Sequence, residues 1–270
     1  MTTLPAEDEA IRAASPALWA ALSPLGRQVR QPVHFLPLQT AQARGKRFNA
    51  TIGQITDGRG RAVPLPTMDA ALGGLDDAAR SQAFLYSPVE GLADLRRAWR
   101  ERQGHKIPAS LPLVTVGAEQ ARALIGDLFA GEGRIVVLPD PVRPSDRDLF
   151  ELRLGADVRS SLEDLPDGEP VLALMDDRES LLRAAGRGPI VAVVDERFEE
   201  LAGVHENLVP VRVEEVEALR LGFLTFPFAA DGAVADALEK KVKMLLRAQV
   251  GSPPAAMLSV LLRYLSQSSS

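Results

Sequence analysis

The chain of 270 residues contains no cysteine. This absence excludes disulfides and every metal or redox site that depends on thiolate ligands. Histidine is scarce as well, and the three residues of this type, His34, His105 and His205, lie far apart in the sequence. We therefore predict no metal site.

The chain also lacks an excess of basic residues and any long apolar run. Its net charge is -5 and its pI is near 5.4, which argues against nucleic acid as a partner, because phosphate binding requires a basic surface. No apolar stretch approaches the roughly 20 residues of a membrane span, and the acidic residues 1–10 do not have the pattern of a signal peptide. We expect a cytoplasmic protein that binds neither nucleic acid nor membranes.

Short continuous apolar runs, separated by segments with helical periodicity, dominate the rest of the sequence. The runs occupy residues 111–116, 135–138, 170–175, 189–194, 208–213 and 221–226. Strands that are apolar along their whole length are typical of a parallel sheet covered by helices on both faces. We therefore predict an α/β fold with three layers, α/β/α, and a mostly parallel sheet, preceded by an N-terminal helical arm.

The residues that follow these runs are the candidates for a site, because ligands of such sheets bind at the carboxyl ends of the strands. Gly117, Ala118 and Glu119 follow the first run and open a helix, whose free N–H groups suit a phosphate. Asp195 follows a later run and Arg220 precedes the last one. Each also has an ordinary structural explanation, Asp195 as a helix N-cap and Arg220 as a surface arginine in an ion pair.

Four segments carry a pattern that extends over roughly residues 45–260. They are Asn49–Gly53, Tyr86–Arg96, Val114–Pro141, and Ile190–Glu196 together with Leu219–Phe223. Their order and spacing resemble the large domain of the class I/II aminotransferases, which are fold-type-I enzymes dependent on pyridoxal phosphate. The resemblance implies amino-group transfer between an amino acid and a 2-oxo acid, with pyridoxal 5'-phosphate as the cofactor.

The resemblance also implies a role for each candidate residue. Gly117, Ala118 and Glu119 match the turn that holds the cofactor phosphate. Arg220, in the sequence Leu-Arg-Leu-Gly, matches the arginine that binds the same phosphate with its planar fork. Asp195 matches the aspartate that pairs with the protonated pyridine nitrogen and keeps the ring an electron sink.

Two further residues carry implications for the partner and the substrate. Tyr86 matches a tyrosine that reaches the phosphate of the neighbouring subunit, which implies a homodimer; without the resemblance it would be a loop aromatic with a solvated hydroxyl. Gly53 matches the loop that closes over the substrate carboxylate. The implied domains are an N-terminal helical arm (1–45), a cofactor-binding large domain (46–252) and the start of a truncated C-terminal segment (253–270).

The family pattern is incomplete in this chain. The family needs a lysine shortly before the phosphate-binding arginine to form a Schiff base, and residues 211–219 contain none. An ungapped match puts Arg212 at that distance, and a guanidinium stays protonated and cannot form the imine. The loop after Met175 is shortened, and the small C-terminal domain is largely absent beyond Tyr264.

These departures leave two interpretations open. The 270 residues could belong to a longer enzyme whose active-site loops and lysine are not among them. Alternatively, the protein is a degenerate or engineered scaffold that cannot catalyse. The first interpretation predicts an aminotransferase, and the second predicts a non-catalytic aminotransferase-fold protein that acts as a binding or dimerisation module.

Overall fold

The computed structural model describes residues 41–43, 45–46, 66–195 and 197–268. Gly53, Glu196 and nearly all of the predicted N-terminal arm lie outside these residues. The helices and strands described below therefore begin at Pro66.

The helices alternate with the strands along the chain, as the sequence predicts. Pro144–Arg147 continues as a π-helical turn over Asp148–Arg153, and Glu217–Leu219 forms a 3-10 turn. The α-helices are α1 (Pro66–Gly73), α2 (Asp77–Ala83), α3 (Ala93–Gln103), α4 (Gly117–Phe129), α5 (Pro144–Arg147), α6 (Arg178–Ala185), α7 (Phe198–Leu201), α8 (Ala233–Gln249) and α9 (Ala255–Ser268).

Seven strands form one sheet in the order β1-β7-β6-β5-β4-β2-β3. The strands are β1 (Leu113–Thr115), β2 (Ile135–Val137), β3 (Asp157–Arg159), β4 (Val171–Ala173), β5 (Ile190–Val194), β6 (Leu208–Val216) and β7 (Leu221–Thr225). Only β7 runs against its neighbours β1 and β6, and all other pairs are parallel. The predicted mostly parallel sheet is confirmed.

Helices cover both faces of the sheet, because its central strands are apolar on both sides. On one face, Ala121, Leu124 and Ile125 of α4 pack with Val242 and Leu246 of α8 in one buried cluster. The second face is covered in two parts. Buried residues of α6 and α7 pack there around β4 and β5, and those of α3 and α9 pack around β1 and β7. The three-layer α/β/α prediction is therefore confirmed.

Helix α9 belongs to this packing. Leu258, Leu261 and Leu265 are buried in the same cluster as Trp99 of α3 and Phe223 of β7, and the Trp99 and Phe223 rings stack with centroids 4.0 Å apart. The division of the chain at residues 45/46 and 252/253 stays a prediction. Among the described residues, no helix is both long and apolar enough to cross a membrane.

Strand β6 is longer than the predicted run of residues 208–213. It continues through Glu214 and Glu215 to Val216, and residues 212–216 pair with β7. A strand can carry these two carboxylates because each finds a cationic or hydrogen-bonding partner, as described below. Val216 pairs with Leu221, so residues 217–220 alone close the β6–β7 hairpin.

Candidate functional site

The predicted phosphate-binding turn lies between β1 and α4. Thr115, the last residue of β1, donates its hydroxyl hydrogen to the Gly117 carbonyl at 2.8 Å. Gly117 has a φ of 77°, a backbone conformation that glycine adopts without strain. The Val116 N–H donates to Gln120 Oε1 at 2.7 Å, whereas α4 has no side-chain N-cap hydrogen bond. The first turn of α4 therefore has the form of an anion-binding helix terminus.

Close packing against β7 fixes the position of this turn. Gly222 lies opposite Thr115 in β1 and opposite Glu215 in β6. A Cβ on Gly222 would overlap the Gly117 carbonyl oxygen and the Thr115 Oγ1. The absence of a side chain at residue 222 therefore lets the start of α4 sit directly on the sheet.

Two carboxylates and one guanidinium gather at this turn, and we call Gly117, Glu119, Glu215 and Arg220 the Gly117 cluster. Arg220 Nη2 lies 3.4 Å from Glu119 Oε2, and Arg220 Nη1 lies 3.4 Å from Glu215 Oε1. A Cβ placed on Gly117 would lie 3.1 Å from Glu215 Oε1 and 3.2 Å from Glu119 Oε2. Both carboxylates therefore border the space that a side chain at residue 117 would enter.

Arg220 has a left-handed backbone conformation. Its φ of 52° is the only positive value at a non-glycine residue in the part of the chain that the structure describes. Arg220 ends the 3-10 turn, where its N–H donates to the Glu217 carbonyl at 3.1 Å. The tight hairpin thus directs the exposed guanidinium towards the start of α4.

Asp195 lies in a different group of side chains. Val194 pairs with Arg212 across β5 and β6, so the next residue, Asp195, follows beside Arg212. Its Oδ1 lies 3.5 Å from Arg212 Nε, and Arg212 Nη2 lies 2.9 Å from Glu214 Oε1. Arg212 Nη1 lies 3.5 Å from His105 Nε2. We call Asp195, Arg212, Glu214 and His105 the Arg212 cluster.

The side chains of β6 that belong to the two clusters lie on opposite faces of the sheet. Successive side chains of a strand alternate between its faces. Val211 and Val213 pack in the cluster that includes α4, and Glu215 shares their face. Glu214 Oε2 accepts instead from Trp99 Nε1 at 3.0 Å and from Gln103 Nε2 at 2.6 Å, both on α3. Arg212 and Glu214 therefore point away from the start of α4.

His105 links the Arg212 cluster to α7. Its side chain is 1% exposed, and Nδ1 lies 3.3 Å from Glu199 Oε1. Burial lowers the pKa of His105, and the cations of Arg212 and Arg100 lower it further against the opposing effect of Glu199. The backbone N–H of Lys106, which donates to Glu199, is the main cause of a lowered pKa at Glu199. The imidazole is thus held in its neutral form.

The structure brings together some of the predicted site residues and separates others. Gly117, Glu119 and Arg220 meet in the Gly117 cluster, with Ala118 buried in the first turn of α4. Asp195 belongs to the Arg212 cluster. Tyr86 lies elsewhere, on the loop after α2, with its hydroxyl against Gly251. Gly53 is outside the described residues.

The sequence interpretation missed Glu214, Glu215 and His105. A signal for the two glutamates was present, because Val211 and Val213 alternate with polar neighbours in the manner of a strand. That alternation would have extended β6 and placed the two glutamates on opposite faces. For His105 the sequence offers no such signal, since its partners Glu199 and Arg212 are about 100 residues away in the chain.

The residues present at these clusters do not fit a bound pyridoxal phosphate. At the Gly117 cluster, Glu119 and Glu215 outnumber Arg220 and would repel a phosphate dianion. At the Arg212 cluster, the position that an ungapped match gives to the Schiff-base lysine holds an arginine. The lysines of the chain are Lys46, Lys106, Lys240, Lys241 and Lys243, and none of them is on β5, on β6 or in the hairpin turn.

Several solved structures have the same architecture. An aminotransferase from Anaerococcus prevotii is 15% identical over 92% of this chain and 78% of its own, with a TM-score of 0.69. A multiple substrate aminotransferase from Thermococcus profundus is 14% identical over 94% of this chain and 72% of its own, with a TM-score of 0.64. A double mutant of Thermus thermophilus aspartate aminotransferase is 16% identical over 92% of this chain and 74% of its own, with a TM-score of 0.62.

Comparisons at the level of sequence add nothing to these structural matches. No protein-family model matches the chain, and no curated protein matches it either. At 14–16% identity the solved structures establish the fold without an activity. The topology of the sheet, the layers of helices and these matches together show that the chain has the fold of the large domain of the fold-type-I, pyridoxal-phosphate-dependent aminotransferases.

Proposed function

We propose that this chain is a non-catalytic protein of the aminotransferase fold that acts as a binding or dimerisation module. The observation that carries the proposal is the β6–β7 hairpin. This hairpin carries Arg212, Glu214 and Glu215, which lie between Asp195 and Arg220 in the sequence. It contains no lysine. Without an amine at this position, the chain has no group there that can form the internal Schiff base.

The β6–β7 hairpin and the connection after β4 are both short. Residues 212–216 pair without interruption with residues 221–225, and the turn of residues 217–220 closes the loop. The connection after β4 is equally short, because Asp177 caps α6 by accepting from the Ser180 N–H at 2.9 Å. The connection after β4 is shorter than the loop that the resemblance implies there.

A homodimer is part of the proposal. Phe84, Leu85 and Tyr86 form three consecutive large apolar side chains on the loop after α2, and all are more than half exposed, with Phe84 at 91%. The Ser87 hydroxyl fixes the end of this loop by donating to the Pro253 carbonyl at 2.5 Å. Exposed apolar patches of this kind mark interaction sites, and the resemblance implies that Tyr86 faces a second subunit.

The second candidate function is pyridoxal-phosphate-dependent transfer of an amino group between an amino acid and a 2-oxo acid. It is favoured by the meeting of Gly117, Glu119 and Arg220 at one helix terminus, as the resemblance implies. Bound pyridoxal phosphate would supply an electron sink for the carbanion formed at the amino acid's α-carbon. This candidate requires a lysine from outside the hairpin, and Lys106 is adjacent to His105 in the Arg212 cluster.

Retention of the cofactor and activity together test the proposal. The full chain is incubated with pyridoxal phosphate and dialysed, then assayed for amino-group transfer from a mixture of amino acids to a mixture of 2-oxo acids. We expect no retained visible-edge absorbance and no transfer above the rate with free cofactor. Retained absorbance and transfer that are both lost in Lys106→Arg, and kept in the matched variant Lys241→Arg, would establish the second candidate instead.

A further inference from the structure

The Gly117 cluster disagrees with the phosphate site that the resemblance implies, and the disagreement is concentrated at Glu215. We infer that the Glu215 carboxylate is an internal anion that fills the anion-binding position at the start of α4 and thereby excludes phosphate groups. The inference concerns phosphate monoesters in general. It goes beyond the proposed function and does not depend on whether the chain dimerises.

Geometry supports the inference first. Glu215 is largely buried, with 16% of its side chain exposed, and its Oε1 has no conventional hydrogen bond. A Cβ placed on Gly117 would lie 3.1 Å from that oxygen, so the carboxylate borders the space beside residue 117 at the start of α4. Because the first turn of a helix presents free N–H groups, a carboxylate at this point occupies the space that a phosphate oxygen would need.

The net charge of the Gly117 cluster also supports the inference that phosphate is excluded. The cluster contains one cation, Arg220, and two anions, Glu119 and Glu215, so its formal charge is -1. The buried Arg122 of α4 also interacts with both carboxylates, but its charge is balanced by Asp146, whose Oδ1 lies 3.0 Å from Arg122 Nε. The positive end of the α4 dipole amounts to about half a charge and is already balanced by these carboxylates. A phosphate dianion would meet repulsion rather than a basic site.

The backbone determines that Glu215, rather than Glu214, takes this position. Glu214 points to the opposite face, where Trp99 and Gln103 bind it. Glu215 lies directly opposite Gly222, which has no side chain to separate it from the start of α4. The register of the β6–β7 hairpin therefore delivers one carboxylate to the helix terminus.

Inorganic phosphate is the probe that tests this inference on the full chain. We would titrate it into the wild type, Glu215→Ala, Glu215→Gln and the matched exposed control Glu132→Ala, at constant ionic strength. Calorimetry gives the affinity, and the thermal midpoint reports the stabilisation that a bound ligand produces. We expect no saturable binding by the wild type or by Glu132→Ala, and at least tenfold tighter binding by Glu215→Ala. Glu215→Gln removes the charge but fills the space, so it should bind more weakly than Glu215→Ala.

Each alternative outcome has a definite meaning. A Glu215→Ala chain that folds only when phosphate is present would support the inference, because phosphate would then replace the missing carboxylate. Equal phosphate affinity in the wild type and Glu215→Ala would overturn it, as would a Glu215→Ala chain that stays unfolded with and without phosphate. Phosphate has no aldehyde, so these results are independent of the Schiff-base chemistry that tests the proposed function.

Discussion

Arg212 forms ion pairs in the region in which the resemblance implies a Schiff-base lysine. Its guanidinium lies between Glu214, Asp195 and His105, and it is the nearest cation to the largely buried Glu214 carboxylate. An arginine in such a position holds carboxylates in a fixed geometry. The residue at the position that the resemblance gives to a reactive amine is thus part of a structural ion-pair network.

Replacement of Arg212 should therefore lower stability. In Arg212→Met, Glu214 would keep its bonds from Trp99 and Gln103 but lose its counterion, and an uncompensated carboxylate of low exposure is costly. We expect a loss of about 2 kcal/mol in the free energy of unfolding, measured with urea. Arg183→Met, which breaks an exposed pair with Glu179, is the matched control and should cost about 0.5 kcal/mol or less. Equal costs in the two variants would contradict the assignment.

His105 makes the same region sensitive to pH. Burial and the neighbouring cations Arg100 and Arg212 hold the pKa of His105 below its ordinary value of 6.5, so the folded chain binds this proton less readily than the unfolded chain. Unfolding then takes up a proton below about pH 6.5, and stability falls as the pH decreases through that value. The lowered pKa of Glu199 acts in a separate window, below its ordinary value of 4.5.

Urea unfolding of the wild type and His105→Gln over the range from about pH 5 to pH 7.5 isolates this contribution. We expect the stability of the wild type to decline towards the acid end more steeply than that of His105→Gln. Parallel curves for the two proteins would show that the imidazole is not held neutral in the folded chain.

At the scale of the elements, the apolar runs were sufficient to predict the sheet, because its inner strands are apolar throughout: β4 is buried along its length, and β5 has buried residues alternating with partly buried valines. The end of β6 was indicated less clearly, only by the alternation of Val211 and Val213 with polar neighbours. The partners of Glu214 and Glu215 could not be read from that alternation, because Trp99, Gln103 and Gly117 come from elements about 100 residues earlier. The positions of Gly117 and Asp195 at strand ends followed from sequence, whereas their separation into two clusters depended on the register of the hairpin.

The contact between α4 and β7 offers a sharp test of that packing. Gly222→Ala would force a methyl group against the Gly117 carbonyl and the Thr115 hydroxyl, and backbone atoms cannot move aside cheaply. We expect a loss of about 3 kcal/mol in unfolding free energy. Gly73→Ala, at the end of α1, places its methyl group where no atom lies within 4 Å and should leave the stability nearly unchanged. A similar effect of both substitutions would argue against the close approach of α4 to the sheet.

At the scale of the whole molecule, the sheet and helices of the aminotransferase fold are present, while the positions that the resemblance gives to the cofactor phosphate and pyridine nitrogen hold internal ion pairs. Such a chain needs no cofactor charge to balance Arg220 or the start of α4, because Glu119 and Glu215 already do so. In the described part of the chain, Phe84, Leu85 and Tyr86 form an exposed apolar run on the loop after α2. This contrast underlies the proposal that the protein works through association rather than through chemistry.

Association through this loop can be measured by light scattering after size-exclusion chromatography. We expect the wild type to elute at twice the mass of one chain, 29.0 kDa, and Phe84→Asp to elute as a monomer, since a buried charge opposes an apolar interface. Met244→Asp, at an apolar and exposed position on α8, is the control and should remain a dimer. A wild type that is monomeric at all concentrations would exclude the homodimer.

Reductive trapping tests the central claim most directly, because it detects any Schiff base whatever the substrate. The full chain is incubated with pyridoxal phosphate, reduced with borohydride, digested and mapped by mass spectrometry. If the chain has no amine in the place of a Schiff-base lysine, the reduced cofactor should be scattered at low occupancy over the exposed lysines, with no single lysine preferred. One phosphopyridoxyl group per chain on a single lysine, lost in Asp195→Asn, would contradict the proposal of a non-catalytic protein and support an active aminotransferase instead.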